Sequence, residues 1–373
     1  MAVEAVEHLV GLGPFCERMP SALLLLSPCR LKGGNFGTIF RIRSHLEKHG
    51  YNCHLWDPQN VEKCGGINVL LNQYKIDLVL GIHAYHAGRF MKDSNVPYIL
   101  ILGGTDVNEF SKEEKYQKVM TAAIYKARYV VAFSESLQSR ALSLWPQLSL
   151  GNLTVIRQAV TTNPSNFCLS AHLLEHHGIV RADENHIFLF VGAIRPVKNP
   201  LFLMDEISKW HEENSRIFLV IIGHVADDSY FRNDFEPALN RCKGVVHIPG
   251  LSTACAHASM QQVFALVNSS QSEGMSLAIL EAMKMKLPVL ARDIPGNSSI
   301  IQDGRNGLLF STPEEFREKA SALMQNPLQR QHLVTQAEEF IASHHNIEQE
   351  DAAYQKLIVS CQFPTGPAVN GYS

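Results

Sequence analysis

The sequence carries no large excess of either charge: 33 Lys+Arg stand against 36 Asp+Glu in 373 residues, a net charge of −3. That balance argues against broad electrostatic docking on nucleic acid or on an anionic membrane, which needs a dominant basic field. Long apolar runs are missing too, and none approaches the ~20 residues that cross a bilayer. The eight cysteines form no Cys-x-x-Cys pair, so single buried thiols in a reducing, cytoplasmic compartment are expected. Histidine doublets occur at His176-His177 and His344-His345 without a His-Glu-x-x-His array. Neighbours on a helix point apart, so no metal site is expected. Residues 1–20 hold Glu4, Glu7 and Glu17 and lack the basic start of a secretory signal, which predicts an unstructured extension rather than a leader. Gly11-Leu12-Gly13 opens like a dinucleotide fingerprint, but it precedes the first strand and has Cys16 where the third glycine belongs.

What is present is an ordinary globular composition, 46% hydrophobic, in a chain long enough for about two cores. Short apolar runs alternate with helical stripes. Strands are predicted at 22–26, 53–56, 78–82, 98–102, 129–133, 187–191, 217–222, 245–248, 264–267, 289–290 and 307–310. Helical spacing such as Ile39, Ile42 and Leu46 lies between them. Such alternation implies right-handed βαβ crossovers and parallel sheets. The pattern weakens near 161–170 and restarts, which divides the chain into an extension (1–20), a first domain (21–165), a second domain (166–345) and a returning helix with a tail (346–373). The expected fold is therefore α/β, with two Rossmann-like, doubly wound domains facing a central cleft.

The informative segment is Ser272-Glu273-Gly274-Met275-Ser276-Leu277-Ala278-Ile279-Leu280-Glu281. Met275–Leu277 should turn into a helix whose first N–H groups suit an anionic diphosphate. Eight residues separate Glu273 from Glu281, a little over two helical turns, so both can face one cleft at different depths. Taken alone, the pair also fits an N-terminal cap and a solvated helix residue. Gly192-Ala193-Ile194-Arg195-Pro196-Val197-Lys198 follows a strand, and its two cations can neutralise a departing diphosphate without a metal. They also fit an exposed loop. Gly33-Gly34-Asn35-Phe36-Gly37 occupies the matching turn of the first domain, where missing side chains let backbone approach a phosphate or sugar. An unliganded tight turn fits it as well. No Walker lysine follows. Arg41, Arg43 and Lys48 on the next helix read as a solvated face. The sequons at Asn152, Asn268 and Asn297 read as chance.

Together these residues resemble the GT-B glycosyltransferases, specifically the large retaining family whose C-terminal half is called the group 1 domain. Glu273 and Glu281 match its Glu-x7-Glu motif. Leu287-Pro288-Val289-Leu290-Ala291, Ile294-Pro295-Gly296-Asn297 and Asp303-Gly304 through Phe310 match the family's next strands and loops. Gly103-Gly104-Thr105-Asp106-Val107-Asn108 and Val130–Glu135 are similar in the first half. The resemblance implies transfer, with retention, of a sugar from a nucleotide-diphosphate sugar to an unidentified acceptor, with no cofactor beyond that co-substrate. It implies that Lys198, helped by Arg195, holds the diphosphate. Glu273, with Gly274, Met275, Ser276 and Leu277 beside it, would contact the sugar, and Glu281 the ribose. Gly33 and Gly34 would lie against the donor, and His83, or its competitor His86, near the sugar. The chain departs from the family at Ala193, where arginine is common, at Ser276, where glycine is usual, and at Ala159-Val160-Thr161. Those departures keep open a non-catalytic nucleotide-sugar binder. An NAD-dependent oxidoreductase leaves Glu-x7-Glu unexplained.

Overall fold

The computed structural model describes residues 22–28, 34–180 and 184–362. The expectations for residues 1–20, for Gly33 and for the tail beyond 362 lie outside the described residues. Twelve strands form two six-stranded parallel sheets. In the first half they are β1 (Ala22–Leu26), β2 (Asn52–Trp56), β3 (Leu78–Ile82), β4 (Tyr98–Ile101), β5 (Tyr129–Ala132) and β6 (Leu153–Val155), in the order β2-β1-β3-β4-β5-β6. In the second half they are β7 (His186–Val191), β8 (Ile217–Ile222), β9 (Val245–Ile248), β10 (Ala265–Asn268), β11 (Val289–Arg292) and β12 (Leu308–Phe310), ordered β12-β11-β10-β7-β8-β9. Every residue of β1 and β3 is buried, which is why these strands read as unbroken apolar runs: helices cover both faces of a parallel sheet. Strand order reverses between β1 and β3 and between β7 and β10. Ligands of such sheets bind outside the strand C-termini at these switch points, so the loops after β1, β3, β7 and β10 are the ones that matter.

Two local expectations change. The glycine segment after β1 is not a loop throughout, because Gly34–Lys48 is helical from Gly34 onward and Gly34 and Gly37 form its first turn. Among the described residues, an added Cβ at either would meet Leu277 Cδ1 alone, at 3.8 and 3.9 Å. That is ordinary contact, so no described atom forces glycine there. Arg41 is not on a solvated face. Its side chain is only 10% exposed and its Nε donates to Glu350 Oε2 at 2.7 Å.

Glu350 belongs to the last helix, Ile347–Gln362, which packs on Gly34–Lys48. Its carboxylate is fully buried and also contacts His45 Nε2 at 2.9 Å and accepts the Ala159 N–H at 3.1 Å. Burial alone would raise its pKa, but the bonds from His45 and Arg41 hold it below the usual carboxylate range. A buried charge persists only when paired in this way. Tyr354 and Ile358 of the same helix join one apolar cluster that also contains Leu23 and Ile39 of the first half and Leu189 and Leu280 of the second.

Candidate active site

The loop between β10 and the helix Leu277–Lys284 is built around one carboxylate oxygen. Glu273 Oε1 accepts from Lys198 Nζ at 2.5 Å, Ser270 Oγ at 2.7 Å and Asn268 Nδ2 at 3.3 Å. Oε2 has no such partner among the described residues. The side chain is 9% exposed. Burial pushes its pKa up, yet the Lys198 charge and the three hydrogen bonds outweigh that and hold it below the ordinary value. The result is an ionised carboxylate with one oxygen clamped and one available to an incoming hydroxyl.

Asn268 ends β10, and its Nδ2 also donates to Ser276 Oγ at 3.2 Å. Asn297, fully buried, donates to Asn268 Oδ1 at 3.1 Å. Two of the three sequon asparagines are therefore internal scaffold, in keeping with a chance match. Ser276 stands at the start of the helix but makes no side-chain cap bond there. Among the described residues, no side chain caps the first N–H groups of that helix.

Glycine contacts explain how the two halves meet. Gly104 has φ +93, and a Cβ there would lie 2.4 Å from Gly274 Cα; a Cβ on Gly274 would lie 2.7 Å from Gly104 Cα. Only backbone against backbone fits. Asn108 Nδ2 adds a bond to the Glu273 carbonyl at 3.3 Å across the same contact. The Gly-Gly-Thr-Asp-Val-Asn segment of the first half thus braces the acidic loop of the second.

The cationic loop follows β7. Gln271 N donates to Val197 O and Ser269 Oγ to Asn199 O, both at 2.8 Å, and these bonds stitch it to the Glu273 loop. Arg195 is half-buried, and its Nε has no hydrogen-bond partner among the described residues. Burial draws its pKa down, with Glu273 and Glu109 opposing. Arg195 thus acts on Glu273 through space, whereas Lys198 makes direct contact.

Across the cleft, His83 follows β3 with φ +84, an uncommon backbone for a non-glycine residue. Its Nδ1 accepts the N–H groups of Tyr85 and His86, each at 3.2 Å. The remaining Nε2 is buried without a partner among the described residues. Burial lowers its pKa, the nearby Arg195 lowers it further and Asp106 opposes, so the neutral ring carries its hydrogen on Nε2. Asp106 Oδ2 accepts from Ala84 N at 2.7 Å and Gly103 N at 3.0 Å, tying the loops after β3 and β4 together. His86 lies beside His83, with ring centroids 4.2 Å apart and planes tilted by 45°.

The fold therefore assembles Lys198, Arg195, Glu273 and Gly274 at one place, brings Leu277 against Gly34, and sets His83 on the facing side. Met275 and Ser276 are buried beneath the turn. Glu281 stays apart from the Lys198–Glu273 cluster, with Oε1 3.6 Å from His257 Nε2. Sequence reasoning missed the supports Asn268, Ser270, Asn108, Asp106 and His257. Asn268 and Ser270 were visible as a sequon, and Asp106 and Asn108 within the Gly-Gly-Thr-Asp-Val-Asn motif. A lone histidine in an alanine-rich helix gave no signal. Among the described residues no group of three or more His, Cys, Asp or Glu could hold a metal, and no helix is long and apolar enough to cross a membrane.

A family model described as glycosyl transferases group 1 matches residues 185–326. Glycosyltransferase 1 domain-containing protein 1 of Xenopus tropicalis is 39% identical over 341 residues, covering 91% of this chain and 98% of that one. An uncharacterized glycosyltransferase of Methanocaldococcus jannaschii is 25% identical over 83% of this chain and 86% of its own length. Anabaena HepE, solved with UDP and glucose, superposes with a TM-score of 0.75 at 14% identity, covering 92% of this chain and all of that one. Sucrose-phosphate synthase of Thermosynechococcus elongatus gives 0.72 at 14% identity, over 91% and 98% of the two chains. Two facing parallel-sheet domains of this kind are the GT-B architecture. With a relative this similar over nearly its whole length, the chain belongs to the group 1 glycosyltransferases.

Proposed function

We propose that the protein is a retaining, metal-independent glycosyltransferase that moves a sugar from a nucleotide-diphosphate sugar to an acceptor still to be identified. The observation that carries this reading is the divided Glu273 carboxylate, with Oε1 held by Lys198, Ser270 and Asn268 and Oε2 open. In this reading Oε2 accepts a hydroxyl of the donor sugar. Lys198 and Arg195 take up the charge that develops on the leaving diphosphate, the role of a preorganised electrostatic site. The uncapped start of the helix Leu277–Lys284 adds N–H donors to the phosphates. Glu281 binds the ribose, Gly34 lies against the donor, and His83 offers Nε2–H to the sugar.

This reading assigns no carboxylate as a covalent nucleophile; acceptor attack and diphosphate departure take place on one face. Catalysis is then positioning plus charge stabilisation. The complexes of HepE with UDP and glucose favour a UDP-sugar as the first donor to try. The reading includes no further cofactor, no nucleic-acid partner and a cytoplasmic location.

A thermal-shift screen of UDP-, ADP- and GDP-sugars identifies the donor by stabilisation of the folded chain. Proton NMR of the transfer product then reports the anomeric configuration. Retention is expected; an inverted product removes the mechanism, and no shift with any donor removes the donor reading. Ala193, in the place of the family's common arginine, favours a second reading as a nucleotide-sugar binder without turnover. Donor binding with no transfer to any acceptor, unchanged by Glu273→Ala, would establish that alternative.

A further inference from the structure

The Glu281 carboxylate lies against a histidine that the Glu-x7-Glu motif does not account for. His257 sits within the helix Thr253–Met260, its side chain 5% exposed. Its Nε2 is 3.6 Å from Glu281 Oε1, beyond hydrogen-bond distance, and has no hydrogen-bond partner among the described residues. Its Nδ1 accepts the backbone N–H of Asn163 at 3.1 Å. A ring nitrogen that accepts carries no proton, so the neutral ring bears its hydrogen on Nε2, next to the carboxylate.

Asn163 belongs to the segment that joins the two sheets. That segment is fastened to the same region at three further points. Ser165 N donates to Ala254 O at 3.0 Å, Leu169 N to Gln262 Oε1 at 2.8 Å and Gln262 Nε2 to Phe167 O at 2.8 Å. The connection between the halves thereby sets the tautomer of the histidine that faces Glu281.

We propose that His257 is a positioning residue: it fixes the orientation of Glu281 toward the nucleotide ribose and so sets the preference for ribo- over 2′-deoxynucleotides. The inference rests on the reading of Glu281 as the ribose ligand. When nucleotide binds, one carboxylate oxygen takes the ribose hydroxyl and the other closes on His257 Nε2–H. His257 does not touch the ribose. Its partner across the ring, Asn163 N–H, keeps the donor on the correct nitrogen, as the supporting groups of other sites orient their histidines.

The test titrates the full chain by calorimetry with UDP, ADP and GDP, then compares the tightest of them with its 2′-deoxy form. Wild type should favour the ribonucleotide about tenfold, the scale of one hydrogen bond to a charged group. Glu281→Gln should abolish that preference. His257→Phe, which keeps a ring without a donor, should cut it to about two- to threefold while affinity for the 2′-deoxy form stays within about twofold. His257→Gln, which restores a donor, should recover it, and the double variant H257F/E281Q should be no worse than E281Q. A purely structural role would instead weaken both nucleotides alike. If H257F does not fold, as judged by thermal unfolding, His257→Met carries the same expectation. Wild-type preference in the donorless variant, with E281Q having lost it, overturns this inference alone. Wild-type preference in E281Q, or no binding of any of the three nucleotides, overturns the ribose reading and the inference with it.

Discussion

The two sides of the cleft are built from the same kind of sheet and solve opposite problems. On the second-half side, Lys198, Ser270 and Asn268 converge on one oxygen of Glu273, buried Asn297 holds Asn268, and Arg195 stands by without a hydrogen bond to its Nε among the described residues. On the first-half side, His83 keeps a buried Nε2 without a partner among the described residues, and its ring packs on His86 and Phe110 with centroids 4.2 and 4.9 Å away. One wall is a charge cluster with one carboxylate oxygen left open, the other an aromatic wall with a donor in reserve. The difference teaches where each half can vary. On the charged wall, removing Lys198 leaves Glu273 buried without its charge partner. His83 and its neighbours His86 and Phe110 are held by ring packing instead, where a substitution changes shape rather than stranding a charge.

The largest expected effect breaks the charged wall. Lys198→Met leaves Glu273 buried with its charge partner removed, so turnover should fall about 10²–10³-fold. The thermal midpoint should drop as well, since stranding one member of a buried pair costs about 3–5 kcal/mol. Steady-state rates and unfolding of the same preparation check both. Unchanged turnover would move the charge stabilisation to Arg195.

Next comes the seam between the walls. Gly104→Ala forces a Cβ to 2.4 Å from Gly274 Cα at a backbone of φ +93. Overpacking and the left-handed conformation together should cost about 2–4 kcal/mol. Gly274→Ala meets Gly104 Cα at 2.7 Å and should cost somewhat less, about 1–3 kcal/mol, for overpacking alone. Denaturation midpoints for the two variants rank them.

A third prediction separates the halves by pH. Burial pushes His86 and His345 down to about 4, whereas an unfolded histidine titrates near ~6.5. The unfolded chain binds those protons first, so stability is full above pH ~6.5 and declines as pH falls toward about 4. Glu273, held below the usual carboxylate range, contributes stability above the unfolded carboxylate value of ~4.3 and loses it only as pH falls further. His345 Nδ1 donates to Gln158 O, 2.6 Å away. His345→Asn should therefore flatten the profile of thermal midpoint against pH between ~6.5 and ~4.5 without altering the steeper loss below it.

The smallest effect serves as the control. Arg43→Ala in the first half and Arg241→Ala in the second remove exposed pairs to Glu47 and Asp205. Each should change stability by about 0.5 kcal/mol or less. A larger change at either would mean that surface charge, and not the cleft, distinguishes the halves.

Much of the architecture was legible in the order of residues alone. Runs such as Ala22–Leu26 and Leu78–Ile82 carry apolar side chains on both faces, a pattern that parallel sheets require. That Lys198 and Glu273 lie in the loops after β7 and β10 was legible because spacing from strand ends is local information; that the two side chains meet while Glu281 turns to His257 was not. The helix beginning at Gly34 was not, since a glycine pair reads as a turn until the stripe Ile39, Ile42, Leu46 finds a core to pack on. Nor was the burial of Arg41, whose partner Glu350 lies 309 residues away.

The sequence by itself determined the alternation of strands and helices, the near-neutral net charge and which loops carry the candidate site residues, because each depends on residues close along the chain. Tertiary structure alone decided that three donors share one oxygen of Glu273, that Gly104 and Gly274 touch backbone to backbone, and that Asn163 fixes the proton of His257. Those are contacts between segments far apart in sequence. Their geometry exists only once the packed core has brought the strand ends together.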